Sequence, residues 1–335
     1  MMRLRIQEDT RLPPHPDLDR RAALAWLAAA ACAPTALAQS GSTLRLVVPF
    51  TPGGSTDILA RAIAPRLGAP GQTVVIDNRP GAGGSLGADL VARAEPDGST
   101  LLMGHIGTLA VNVSIYPKLP YDPIKSFTPV AWVARVPNVL VVTAASGITS
   151  LKELVTRAKA SPGKLTYSSG GNGSAAHIAF EYLKLRTGIF MAHIPYRGTA
   201  PSVTDLLGGQ IDATFTGAPA VLPHIRSGRL RALAVSSAQR LASLPDVPTV
   251  TESGYPGFEA DQWYGVVAPA GTPEAVVARL NAAINAALSA PEVVQQLAGE
   301  GALPMQTTPK AFGELIAREI PRWKEVVRAG NVKPD

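Results

Sequence analysis

The chain has 335 residues, 46% hydrophobic and 17% charged, enough apolar material for a full globular core and a length that suggests about two domains, so disorder is excluded. Its 31 basic and 25 acidic residues leave a formal charge of +6. The basic residues are scattered rather than clustered or interleaved with aromatics, which argues against nucleic acid as a partner.

At the amino terminus, Arg20 and Arg21 precede an apolar run from Ala22 to Ala33, and Ala36-Leu37-Ala38 gives the small-x-small pattern of a signal-peptidase site. Residues 1–38 therefore read as a leader cleaved near Ala38. The run is shorter than the roughly 20 residues a spanning helix needs. The paired arginines leave twin-arginine and general export both open. Cys32, the single cysteine, lies inside the leader, so the exported form has no thiol for disulfides, catalysis or metal binding. Five Arg and four acidic residues leave with the leader, and the exported form stays mildly basic at +5.

After Gln39, short β-type runs alternate with helix-type segments, the pattern of a parallel α/β sheet. Leu44 to Val48, Val74 to Asp77 and Leu101 to Gly104 read as strands, with helices over Asp57 to Ala64 and Ser85 to Ala94. Pro65 should end or kink the first helix, because its ring removes the bond to the carbonyl of Arg61. A second unit starts with a strand at Val139 to Thr143 and a helix opened by the capping box Ser150-Leu151-Lys152-Glu153. Strands at Lys164 to Ser168, Ala192 to Pro195, Ile211 to Phe215 and Arg231 to Val235 then alternate with helices near Ala175 to Arg186, Pro201 to Leu207 and Ala218 to Ser227. Ala238 to Asp261 reads as a long connection and Trp263 to Ala268 as one more strand. In the helical tail, Thr272-Pro273 and Thr308-Pro309 each place a cap before a proline, and Ser289 with Glu292 forms a capping box.

Two strand-to-helix junctions stand out. LRLVVPFTPGGSTD, Leu44 to Asp57, runs an apolar strand into two glycines and a polar helix start; SSGGNGSAAH, Ser168 to His177, does the same in the second unit. Glycine lets the main chain approach a ligand, and the first four N–H groups of a helix have no internal partner. The helix dipole adds roughly half a positive charge at that end, which favours a carboxylate or phosphate. Open α/β sheets bind ligands beyond the carboxyl ends of their strands, and two such ends facing one another make a cleft lined with donors. Either junction alone reads equally well as a capped turn; the pair shifts the weight to binding.

A third glycine cluster, NRPGAGGSLG from Asn78 to Gly87, has the G-x-S-x-G spacing of a nucleophile elbow and part of a dinucleotide fingerprint. Leu86 stands where the fingerprint needs glycine, and no spacing brings a histidine and an acid to Ser85, so the cluster reads as a structural helix start. His105, His177, His193 and His224 are far apart and in no metal-ligand spacing. Neither metal nor cofactor is expected. His105 follows the third strand and can face the cleft, while His177 can orient the second loop or meet a ligand. Asp57 reads more readily as an acceptor for loop N–H groups and a partner of Arg61 than as a catalytic acid. Arg197 can present its fork of donors to an acidic ligand or face solvent.

Taken together, PFTPGGSTD, VVIDNRPGAGGSLGADLVARAEPDG (Val74 to Gly98), YPKLPYDPIKSFTPV (Tyr116 to Val130), YRGTAPSVTDLLGGQIDATF (Tyr196 to Phe215), LRALAVSSAQRLASLPDVPTVTESG (Leu230 to Gly254) and WYGVVAPAGTP (Trp263 to Pro273) resemble one family over nearly the whole chain. It is the extracytoplasmic solute receptors of tripartite tricarboxylate transporters, also called Bug proteins. The resemblance implies a two-lobed, type II periplasmic-binding (Venus flytrap) fold, two doubly wound α/β domains joined by a hinge, with lobe 1 over 42–140 and 256–335 and lobe 2 over 141–255. It implies no catalysis, a periplasmic location, a monomer, and a small carboxylate passed to membrane permease subunits. By the same resemblance the ligand meets Thr51, Gly53, Gly54, Ser55, Thr56 and Asp57 on the first loop and Ser169, Gly173, Ser174 and His177 on the second. The strand ends at His105 to Thr108, including Gly107, and at Thr216 to Ala218 face the same cleft. His105-Ile106 departs from the small polar residues frequent there. A ligand sensor reporting to a membrane partner, or an exported hydrolase using Ser85 or Ser174, are the alternative classes.

Overall fold

The structure, a computed structural model, describes residues 43–334; the leader lies outside the described residues. Two α/β sheets are built in chain order. The first set is β1 (Thr43–Val48), α1 (Ser55–Leu67), β2 (Thr73–Asn78), α2 (Ser85–Ala92), β3 (Thr100–His105) and β4 (Phe127–Val136). The chain then crosses at Pro137 into β5 (Asn138–Thr143), α3 (Leu151–Ala160), β6 (Thr166–Ser169), α4 (Ala175–Thr187), β7 (Ala192–Pro195), α5 (Thr199–Leu207), β8 (Ala213–Gly217), α6 (Ala218–Arg226) and β9 (Leu230–Val235). It returns through residues 236–261 to β10 (Gln262–Pro269), α7 (Glu274–Ser289), α8 (Pro291–Gly299), β11 (Leu303–Pro304) and α9 (Pro309–Ala329).

The first sheet has strand order β11-β4-β10-β3-β1-β2 and the second β7-β6-β8-β5-β9. Both are mixed, where the alternating sequence pattern predicts parallel sheets. β1 pairs in parallel with β2 and β3, while β10 runs antiparallel to β3 and β4. In the second sheet β6 is parallel to β7 and β8, and β5 runs antiparallel to β8 and β9. Of the strands at the crossings, β5 and β10 are the reversed ones, while β4, antiparallel to β10, keeps the direction of β1 to β3: β5 and β10 each enter their sheet from the other sheet rather than through a βαβ unit, so the right-handed crossover that enforces parallel pairing does not apply to them.

Helix α1 outlasts Pro65 by two residues, because a proline in the last turn removes one bond where the ladder is ending anyway. Thr308 caps α9 as its sequence predicts, accepting the N–H of Ala311 at 3.2 Å. The other two tail caps differ. Ser289 is the last residue of α7 and donates to the carbonyl of Asn285, and Thr272 donates to the carbonyl of Pro269; the cap positions fall one residue later, on Ala290 before α8 and on Pro273 before α7.

A buried polar chain holds the crossings. Asn138 Nδ2 donates to the carbonyl of Ala260 (2.6 Å), its N–H to Ser236 Oγ (2.8 Å), and its Oδ1 accepts from Gln262 Nε2. Gln262 Oε1 in turn accepts from the Tyr264 hydroxyl. Ser236 Oγ donates to Asp261, which also takes Arg135 Nε at 2.8 Å. Helix α9 packs on β4 and on α4, and Glu319 on it accepts from the indoles of both Trp263 (3.2 Å) and Trp323 (2.8 Å).

Candidate functional site

Helix α1 starts behind Gly54, whose extended backbone caps it with no side chain. The N–H groups of Ser55, Thr56 and Asp57 are thus left without an intrahelical partner. Helix α4 starts behind Ser174, whose Oγ accepts the N–H of His177 at 3.4 Å, while among the described residues no partner is found for the N–H groups of Ala175 and Ala176. Both helix starts meet at one cavity. Phe50, Thr56, His105 and Tyr264 line it from the first sheet's side, and Ser174, Ala175, Ala176, Thr199 and Thr216 from the second's, with Gln262 beside the crossing. The room open to the centre of a water-sized sphere is about 20 Å³, enough for about one water. The cleft is closed.

No carboxylate and no lysine or arginine lines this cavity. Its one imidazole, His105, is 3% exposed; its Nδ1 accepts the N–H of Thr108 at 3.2 Å, which puts the proton of the neutral ring on Nε2 and makes that atom a donor. Burial lowers its pKa to about 4, against a smaller opposing effect of its own backbone, so the ring is neutral at pH 7. Phe50 lies 4.6 Å and Tyr264 5.8 Å from it, centroid to centroid. Burial pushes the Tyr264 phenol up, with the nearby Ser55 and Thr56 side chains opposing. Among the described residues, Ser55 Oγ and Thr51 Oγ1 are buried hydroxyls without a hydrogen-bond partner, a cost of about 1–3 kcal/mol each.

Asp57 is anchored within the protein. Its Oδ2 accepts from Gly53 N–H (3.0 Å) and Arg61 Nε (2.9 Å), and its Oδ1 from Asn78 Nδ2 (3.1 Å). Burial would raise its pKa, but the hydrogen bonds from Arg61, Gly53 and Asn78 hold it below the usual carboxylate value. It therefore fixes the first loop. The second loop is tied from behind: Gly173 N–H donates to His177 Nδ1 (3.2 Å), and Ser169 Oγ lies 2.7 Å from His193 Nε2.

The two loop sets touch across the cleft at glycines. A Cβ built on Gly83, which has φ +59°, would overlap the carbonyl of Asn172; one on Gly107 would sit 2.6 Å from the carbonyl of Gly173; and one on Gly217 would sit 2.6 Å from Ser55 Oγ. Beside this seam opens a larger pocket of about 540 Å³. Phe50, which also lines the inner cavity, Leu86 and the 80–84 glycine turn form one wall, and Gly170, Gly171 and Tyr196 with Arg197 the other.

Of the residues singled out by sequence, the structure brings Thr56, His105, Ser174 and Thr216 to the inner cavity and Arg197 to the outer pocket. Gly53 and Gly54 abut Ala200 and Thr199 of the opposite loop, and Gly107 abuts Gly173. Thr51 and Ser55 lie at the seam, against Gly198 and Gly217. Asp57, Ser169 and His177 support the loops instead of lining either space. Sequence reasoning missed Phe50, Thr199, Gln262 and Tyr264. Phe50 and Thr199 lie inside the quoted motifs PFTPGGSTD and YRGTAPSVTDLLGGQIDATF, and Gln262 and Tyr264 alternate with Trp263 on a strand, where the period of two puts them on one face. Ser85 Oγ accepts from Asn112 Nδ2 at 2.9 Å, and among the described residues no histidine bonds to it.

The family model described as "Tripartite tricarboxylate transporter family receptor" matches residues 59–332. Protein BugT of Bordetella pertussis (strain Tohama I) is 44% identical over 292 residues, 87% of this chain and 90% of the relative. The solved structure of Rpa4515 from R. palustris with adipate is 39% identical with a TM-score of 0.84, covering 88% of this chain and 98% of that one. That of MatC from Rhodopseudomonas palustris with bound malate is 38% identical with a TM-score of 0.82, covering 85% and 98%. The fold is the two-lobed α/β fold of periplasmic binding proteins, and the molecule binds a solute rather than catalysing a reaction.

Proposed function

We propose, given that the chain belongs to the tripartite tricarboxylate transporter family of receptors, that it captures a small organic carboxylate between its lobes and hands it to the membrane permease subunits of such a transporter. The observation that carries this reading is the convergence of two helix starts with unpaired N–H groups on one cavity free of carboxylates. Micromolar affinity needs about 8 kcal/mol, and hydrogen bonds to a charged group contribute about 1.5–3 kcal/mol each. A few such donors suffice. The carboxylate occupies the inner cavity against Thr56, His105, Ser174, Ala175 and Thr216, and the rest of the ligand extends past Phe50 toward Arg197. Adipate in one relative and malate in another support a carboxylate here.

In this reading the lobes are the halves that carry the two sheets, hinged at Pro137 and at residues 236–261. The leader directs the protein to the periplasm, where it acts as a monomer; among the described residues no helix is long and apolar enough to cross a membrane. A thermal-shift screen of organic acids, with adipate and malate included, tests the proposal, since a ligand that binds only the folded state raises the melting temperature by mass action. One or more acids should stabilise the protein in a concentration-dependent way. If none does, while uncharged analogues do, the anion reading is wrong.

A further inference from the structure

Behind the second ligand loop lies a column of stacked rings that the binding site itself does not use; His177, Tyr167 and Phe180 are buried and His193, on the edge strand β7, is half-buried. His177 on α4 stacks on His193 of β7 at 3.8 Å and 11°, His193 stacks on Tyr167 of β6 at 4.8 Å, and Tyr167 on Phe180 at 3.9 Å. Each imidazole holds one end of the loop. His177 Nδ1 accepts the N–H of Gly173, and His193 Nε2 meets Ser169 Oγ, which also accepts the N–H of Gly171 at 3.2 Å. The loop between them runs through two glycines at positive φ, Gly171 at 115° and Gly173 at 75°. Its carbonyls are held separately, Gly171 by the N–H of Ser174 (3.0 Å), Ser169 by the N–H of Tyr196 (3.1 Å) and Asn172 by the Tyr116 hydroxyl (3.5 Å), so the imidazole end of the loop is what fixes the N–H groups of Gly171 and Gly173.

The groups facing the pair leave no room for added positive charge. Lys184 and Glu181 project from α4 itself, Lys184 Nζ lying 2.7 Å from Glu181 Oε1, and the Tyr167 hydroxyl from β6 donates to the same oxygen. His177 Nε2 is 3.8 Å from Glu181, whose charge Lys184 already balances. Protonating His177 on Nδ1 would set two N–H groups head to head at Gly173, and protonating both rings would stack two cations. Burial in the first place, then the neighbouring positive groups, depress both pKa values, His177 to about 2 and His193 to about 4.

We infer that His177 and His193 are positioning residues forming a proton-coupled latch: neutral and stacked they hold Ser169 to Gly173 in its ligand-ready shape, and the loop opens only as the two rings unstack, release Ser169 and Gly173 and take up protons. This regulation rests on the reading of the loop as part of the ligand site. Opening frees two rings to titrate near 6.5, so the open fraction rises about tenfold from pH 7 to pH 6 and several hundred-fold by pH 5.

Hydrogen exchange of the Gly171 and Gly173 amides in the ligand-free protein, corrected for intrinsic rates and compared with core amides of β8, tests the latch. Wild type should lose protection at these glycines with that two-proton slope, His177→Gln and His193→Gln should each show a one-proton slope, about threefold per unit near pH 6.5, and the double variant should be flat. Wild-type protection independent of pH, or a slope unchanged in the double variant, overturns the inference. If the variants do not fold, the wild-type slope alone decides. The readout uses no ligand, so its failure leaves the anion-binding reading standing, and failure of adipate, malate and the screened acids to bind leaves the latch standing.

Discussion

Replacing Ser174 by Asp separates the anion-binding role of the α4 start from its structural role. Ser174 Oγ caps the helix through the N–H of His177 and also lines the inner cavity. Aspartate is as good an N-cap as serine, and its charge at the positive end of the helix contributes about 0.3–1 kcal/mol. The variant should therefore melt at or slightly above the wild-type temperature at neutral pH. A ligand carboxylate held by the neighbouring N–H groups would come within about 4 Å of the new charge, and two like charges at that distance repel by about 4 kcal/mol at an effective dielectric of 20. Affinity should fall about a thousand-fold. Calorimetry with the acid found by the thermal-shift screen, run on wild type, Ser174→Ala and Ser174→Asp, measures this. The alanine variant, which loses the cap, should be destabilised by about 1 kcal/mol and should weaken binding less than aspartate does. Binding by Ser174→Asp within about tenfold of wild type would refute the placement of the anion.

Stability should fall in acid. His105, His177 and His193 all have folded pKa values below that of the exposed ring, so the unfolded chain binds more protons between about pH 4 and 6.5, and the stability present above pH 6.5 is lost as pH drops. Each contributes a loss of about 2 kcal/mol between pH 7 and 5, measurable by urea melts at both values; equal stability at the two would contradict their burial as neutral rings. Gly83→Val should cost about 1–3 kcal/mol, because a β-branched side chain is strained at φ +59°, and should also hold the lobes apart, because Gly83 meets the carbonyl of Asn172 across the cleft. Small-angle scattering in saturating ligand should show wild type contracting and the variant not; equal contraction would show that the seam is not a closing surface. Asn138→Ala removes the centre of the buried polar chain at the crossings, and by leaving Gln262 Nε2 and the Ala260 carbonyl unpaired should cost about 1–3 kcal/mol by urea denaturation. No measurable loss would mean that water or a neighbour replaces it.

The elements of the fold that sequence carries well are those with local physics behind them. The strands flanking the glycine loops, the Ser150 and Thr308 caps and the helix behind Ser174 all follow from periodicity, capping and turn chemistry, which need only neighbours in the chain. The strand β4, Phe127–Val136, was not anticipated, and the reversed direction of β5 and β10 could not be read, because strand direction depends on which sheet the chain has just left. The same division holds in the site. Thr56 and Ser174 are legible because a helix start announces its own unpaired donors. Gln262 and Tyr264 reach the cavity along a strand whose sequence reads only as one more strand, from Trp263 to Ala268, and the chain of bonds from Tyr264 through Gln262 to Asn138 spans 124 residues of sequence separation at its Gln262–Asn138 step. The His177–His193 stack is of the same kind: each residue looks unremarkable until β7 is laid beside β6, with His193 in register with Tyr167.

The account stands most directly on one measurement: amide proton and nitrogen shifts of Ser55, Thr56, Ala175 and Ala176 in a titration with the acid identified by screening, alongside its primary amide analogue. Gripping of the anion by both helix starts predicts large shifts at all four amides with the acid and binding at least a hundred-fold weaker for the uncharged amide. Shifts confined to one helix start, or equal affinity for the two compounds, would contradict it.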